Sequence, residues 1–173
     1  ESDPASAAPK IGIEVLLAEP LTLLRGKRIG LITNPTGVDR ELRSSIDLLA
    51  KHPDLQLVAL FGPEHGVRGN AQAGEKVGAS VDAATGLPVF SLYGEHREPT
   101  AEMLQGIDVL LFDIQDVGAR FYTYPYTLAG AMRAARRAGC DALPLAPSRP
   151  PQPDWRRARR GPDAATGICL VRW

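Results

Sequence analysis

A chain of 173 residues is long enough for one domain with a real hydrophobic core and too short for two comfortable ones. Twenty Lys and Arg balance twenty Asp and Glu, which removes any bulk electrostatic case for nucleic acid or an anionic membrane as a partner. Hydrophobic content of 44% is ordinary for a globular domain, and no apolar run approaches the length of a membrane span.

Residues 1–10, ESDPASAAPK, read as a disordered leader. They lack the basic and apolar regions of a signal peptide, but what is left after cleavage, a frayed terminus or a tag scar would all look like this. GIEVLLAEPLTLLRGK (12–27) spaces its apolar residues as a short helix and then turns at Pro20. KRIGLITN (27–34) is a first strand that ends in an Asn-Pro-Thr-Gly loop. SSIDLLAKHP (44–53) is a one-sided helix with Ser at its N-cap, and DLQLVALFG (54–62) is a second strand. A polar, Gly-rich loop follows to about Val81. LPVFSLYG (87–94) gives a third strand, PTAEMLQG (99–106) a short helix closed by Gly106, and IDVLLFDIQD (107–116) a fourth strand. YPYTLAGAMRAARRAG (124–139) is an amphipathic helix ending at Gly139.

Strands that alternate with helices, and are apolar almost throughout, predict a parallel sheet covered on both faces: an α/β, Rossmann-like three-layer domain over residues 11–139. Ligands of such sheets bind beyond the carboxyl ends of the strands. Three loops belong there, carrying Asn34 and Thr36, Glu64 and His65, and Asp116 and Arg120. Pro63 and Gly66 bracket Glu64, so it is either a general acid or base held in a defined direction or a carboxylate capping a loop. His65 is a proton carrier, a donor to substrate, or a backbone-tied loop residue. Asp116, Arg120, Tyr122, Tyr124 and Tyr126 would suit a sugar, with directional hydrogen bonds and aromatic faces, or else divide between a structural ion pair and core. Asp113, inside the fourth strand, reads as a structural buried acid. The first strand ends in NPTGVDR and not in a Gly-rich phosphate loop, which disfavours a nucleotide. Cys140 and Cys169 have no metal-ligand spacing, and no cofactor or metal is expected.

The segments GKRIGLITNPTGVDR, LVALFGPEHGVRG, GLPVFSLYGEHREPT and DVLLFDIQDVGARFYTY closely resemble the bacterial exo-β-N-acetylmuramidase family, the NamZ-like glycoside hydrolases. The resemblance runs from about Gly12 to Gly139. It implies release of terminal N-acetylmuramic acid from the non-reducing ends of peptidoglycan fragments by a secreted or periplasmic protein, with muropeptides as ligands and no cofactor. It also implies a Rossmann-like domain whose active site faces a smaller C-terminal domain. The family's glutamate in PEHG is Glu64 here. His65 and Asp116 then join it as catalytic candidates, and Asn34, Thr36, Arg120, Tyr122 and Tyr124 as substrate contacts. Oligomeric state is not written in the sequence.

After Gly139 another apolar strand is due, but CDALPLAPSRPPQPDWRRARRGPDAATGICLVRW is rich in Pro and Arg and offers no strand of normal length before ICLV. A basic tail and a linker are two readings. A frameshift fits better. Permitted codons for residues 149–163, read one base later, encode DRPNPIGGGRVEGP, close to the segment expected of the family there. Most synonymous codons can be chosen freely, but Trp155 has one codon, and it forces a glycine at the right place. Residues 140–173 are therefore expected to be an aberrant tail, and the domain to be cut short on its C-terminal side. The codons of residues 149–163 in the underlying DNA test this.

Overall fold

A computed structural model describes residues 11–18, 21–69, 80–116 and 123–145. In chain order it contains α1 (Gly12–Ala18), a 3-10 turn (Leu21–Leu23), β1 (Arg28–Thr33), α2 (Ser45–Ala50), β2 (Gln56–Gly62), β3 (Ser80–Val81), β4 (Pro88–Ser91), β5 (Val109–Asp113), α3 (Tyr124–Ala138) and β6 (Asp141–Pro144). The sheet order is β3-β4-β2-β1-β5-β6. All neighbouring pairs are parallel except β3 with β4. The α/β class with a mainly parallel sheet is therefore present.

The apolar runs form strands because both faces of the sheet are buried. Ile29 and Leu31 of β1 and Val109 and Leu111 of β5 join a core with Ile13 and Leu16 of α1 and Ile46 and Leu49 of α2. The alternate residues Ile32, Leu110 and Phe112 meet Ala131, Ala134 and Ala135 of α3 on the other side. This two-sided burial is the reason the strand sequences lack polar alternation. In β2 the pairing skips Val58, since Ile29 faces Leu57 while Gly30 faces Ala59. The bulge puts Leu57 and Leu60, three residues apart, into the same core.

Two expectations need correction. Residues 99–106 form no α-helix. Residues 101–106 are turns, with the Leu104 N–H donating to the Thr100 carbonyl at 3.2 Å and Gly106 at φ 80°. One turn that buries only Leu104 on one side cannot offset the cost of helix nucleation. Conversely, a strand does follow α3: β6 pairs in register with β5 from Val109–Asp141 to Phe112–Pro144, and the Leu145 N–H donates to the Phe112 carbonyl at 2.8 Å. Ala142, Leu143 and Leu145 are buried. The unit expected to stop at 139 thus continues through Leu145. Its proline and aspartate hid the strand, and both fit an end position in the sheet. Pro144 lacks only an N–H that an edge strand need not donate, and Asp141 takes the Lys27 ammonium at 2.9 Å. The frameshifted segment proposed for 149–163 lies outside the described residues.

Candidate active site

Glu64 lies two residues past Gly62, the last residue of β2, at the carboxyl edge of the sheet. Gly62 makes the turn possible there: a Cβ on it would lie 3.0 Å from Gly66 Cα and from Val67 N, so the chain folds straight back over its own strand. The Gly66 N–H closes the turn on the Pro63 carbonyl at 3.0 Å, and His65 takes a left-handed φ of 72°. That conformation costs a non-glycine residue of order 1 kcal/mol, and such strain gathers at functional sites. His65→Gly is therefore expected to raise unfolding stability by about 1 kcal/mol, read in denaturant melts, since glycine holds this φ at no steric cost. Glu64 itself is half-buried and His65 exposed.

Behind the turn, Arg68 ties the loop to the rest of the domain. Its guanidinium forks onto Asp82 with Nε–Oδ1 2.6 Å and Nη2–Oδ2 2.9 Å, and Nη2 also reaches Asp47 of α2 at 2.9 Å. The Arg68 hydrogen bonds hold the Asp82 carboxyl at about 2, well below its usual range. A depressed acid stabilises the fold above its unfolded value near 4 and ceases to do so as pH falls through 2. The expected contribution is about 2 kcal/mol at neutral pH. Unfolding free energies measured at pH 7, 4 and 2.5 should show that loss for the parent and not for Asp82→Asn.

The β1 loop is knitted to its neighbours. Asn34 is buried, and its Oδ1 accepts from the Thr36 N–H at 3.0 Å and the Thr36 hydroxyl at 2.6 Å. Thr36 Oγ1 in turn accepts the Gln115 N–H at 2.9 Å, joining the loops after β1 and β5. Gly69, at φ 72°, lies so close to Pro35 that a Cβ would come within 2.8 Å of its ring, which joins the loops after β1 and β2. The three loops expected to converge do so. In this structure the side chains of Asn34 and Thr36 satisfy each other.

The remaining candidates fall differently. Asp116 is exposed, three residues past β5, and β1 lies between β5 and β2, so about 10 Å of sheet separates the two strand ends. Tyr124, the first residue of α3, is half-buried against the α3-side core, while Tyr126 is exposed. Arg120 and Tyr122 lie outside the described residues. The residue that does reach Glu64 is Tyr93, from the loop after β4. Its phenol interacts with the Glu64 carboxylate, whose acceptor oxygens and negative charge hold the Tyr93 pKa above its ordinary value. Tyr93 was not among the expected residues, although its loop leaves the same edge. Among the described residues no group of His, Cys, Asp and Glu gathers to hold a metal, and no helix is long and apolar enough to cross a membrane.

Residues 29–147 match the family model described as Exo-beta-N-acetylmuramidase NamZ, N-terminal. The chain belongs to that family. The matched span of this NamZ domain includes β6. Peptidoglycan beta-N-acetylmuramidase NamZ of Bacillus subtilis (strain 168) is 58% identical over 139 residues, covering 79% of this chain and 34% of that protein. The chain thus spans about a third of the length of the curated NamZ relative it matches. Among solved structures, a DUF1343 family protein from Bacteroides fragilis NCTC 9343 superposes with a TM-score of 0.71 at 53% identity, over 78% of this chain and 33% of the other. A second DUF1343 family protein from the same organism gives 0.67 at 34% identity, over 83% and 35%.

Proposed function

We propose that this NamZ domain carries the reacting carboxyl of an exo-acting β-N-acetylmuramidase, a hydrolase that frees terminal N-acetylmuramic acid from the non-reducing ends of peptidoglycan fragments. The observation that carries the reading is Glu64, held on a strained turn at the carboxyl edge of a parallel sheet, beside the loop that carries Tyr93. Cleaving a glycosidic bond needs a proton delivered to the leaving oxygen, and a carboxyl fixed at the mouth of a sheet can deliver it. The name of the Bacillus subtilis relative supports the substrate class. The parallel strands, taken in chain order, lie 3-2-1-4-5, which supports a Rossmann-like reading of the sheet. A substrate derived from the cell wall supports a secreted or periplasmic protein acting in cell wall recycling.

Because the relative is about three times as long as the matched region, the 173 residues by themselves are expected to turn over weakly. The test is release of N-acetylmuramic acid from a defined muropeptide by the chain and by the chain extended with the remainder of a NamZ relative. Loss of release in Glu64→Gln supports the reading. Muropeptide binding with no release in either form would instead make the domain a carbohydrate-binding module.

A further inference from the structure

We propose that Tyr93 is the positioning residue for Glu64, fixing one oxygen of its carboxylate so that the other meets the scissile bond; the proposal rests on Glu64 being the reacting carboxyl. The sheet itself brings the two together. β2 and β4 are parallel neighbours in which Gly62 stands opposite Ser91. Both strands leave the sheet by the same edge, and two residues further along each chain are Glu64 and Tyr93.

The loop that presents Tyr93 is braced beyond what an exposed aromatic needs. The Leu92 N–H donates to the Gly62 carbonyl at 2.8 Å, and the Leu92 side chain is buried in the core. Ser91 holds both backbone groups of the tyrosine: its Oγ accepts the Tyr93 N–H at 3.2 Å and its hydroxyl donates to the Tyr93 carbonyl at 3.3 Å. The ring nevertheless stays 43% exposed. Burial of the ring therefore does not explain the bracing, whereas a fixed place for the hydroxyl does.

Glu64 needs such a partner. Its turn fixes the backbone, but a glutamate side chain has three rotatable bonds, and a reacting group must be held to about 0.5 Å. A phenol donating to one carboxylate oxygen removes much of that freedom and leaves the second oxygen for the substrate. Tyr93 keeps its proton throughout. The carboxylate charge opposes its ionisation, so it orients Glu64 without exchanging a proton with it.

The contact is tested on the 173-residue chain by ultraviolet titration of the phenols, with Tyr93→Phe identifying the Tyr93 transition. That transition is expected above the ordinary tyrosine value of about 10 and should fall towards it in Glu64→Ala. A Tyr93 transition unchanged in Glu64→Ala overturns the proposal, whatever the activity. In the release assay, Tyr93→Phe should lower kcat about tenfold with KM within about twofold, and its melting temperature should match the parent. A purely structural role would lower the melting temperature and leave kcat per folded molecule alone. Parental kcat in Tyr93→Phe beside an inactive Glu64→Gln overturns the role of Tyr93 alone. Parental turnover by Glu64→Gln would instead remove the reading of Glu64.

Discussion

Asp113→Asn is expected to stabilise the fold by about 2 kcal/mol at pH 7 and to destabilise it by about 1 kcal/mol below pH 4. Asp113 ends β5 and is 1% exposed, between β1 and β6. Its carboxylate accepts from the hydroxyl of Ser45 at the start of α2. Burial pushes its pKa up from 3.8 to about 6, and the Ser45 hydrogen bond only partly opposes this. A raised acid binds its proton more tightly folded than unfolded. Its contribution is therefore complete below the unfolded value near 4, declines as pH rises to 6, and stays lost above. A rise of about two in pKa at about 1.4 kcal/mol each amounts to about 3 kcal/mol at neutral pH. Asparagine removes that cost and keeps an acceptor for Ser45, but its new NH2 group needs a partner in a closed site, which leaves about 2 kcal/mol. Denaturant unfolding at pH 4, 5, 6 and 7.5 reads the difference directly. A gap between variant and parent that is constant with pH, or a variant less stable at pH 7, would rule out this account.

The same residue shows why the edge of this sheet costs stability. Thr33 of β1 donates its hydroxyl to the Asp113 backbone carbonyl at 2.8 Å, one residue before the loop that holds Asn34 and Thr36. Buried Asp113 and left-handed His65 both lie under or beside the loops that meet at the carboxyl ends. A buried carboxylate and a strained backbone cost free energy that an apolar side chain and a glycine would not, and proteins retain such costs where a loop must hold one shape.

The layers were legible in the sequence for a physical reason. A strand buried on both faces must be apolar at every position, so β1, β2 and β5 stand out as runs between helical patterns. That uniformity also concealed detail. With no polar alternation in β2 to count, nothing in its letters marks the bulge at Val58. β6 escaped notice because Asp141 and Pro144 look like breakers, and only the sheet order shows that both occupy an end strand. Glu64 was visible through its Pro and Gly bracket, a local signal. Tyr93 has no such mark. Its significance comes from register, the equal offset from the Gly62–Ser91 pair, which a single sequence does not state. Asn34 and Thr36 were placed at the right edge, but chain spacing could not show that their side chains would bond to each other.

Glu64→Gln is expected to lower N-acetylmuramic acid release by about a hundredfold to ten-thousandfold, roughly 3 to 5 kcal/mol of transition-state stabilisation. The change keeps the shape of the side chain and an oxygen that can accept from Tyr93, while removing a group able to give or take the proton. Glu64 is only half-buried and makes no ion pair among the described residues, so the melting temperature should move by no more than a few degrees. Binding should survive as well, with the Kd for N-acetylmuramic acid within about threefold, because a proton-transfer group contributes mainly in the transition state. A fall in kcat and kcat/KM together, with binding intact, is the signature of that loss. Asp116 is the internal comparison. Exposed and separated from β2 by β1, it is not held against Glu64 among the described residues. If Asp116→Asn matches Glu64→Gln in its effect, Asp116 supplies the second group of the reaction. If it costs less than about tenfold, Glu64 performs the proton transfer without it, and the second group of the reaction comes from elsewhere in the protein.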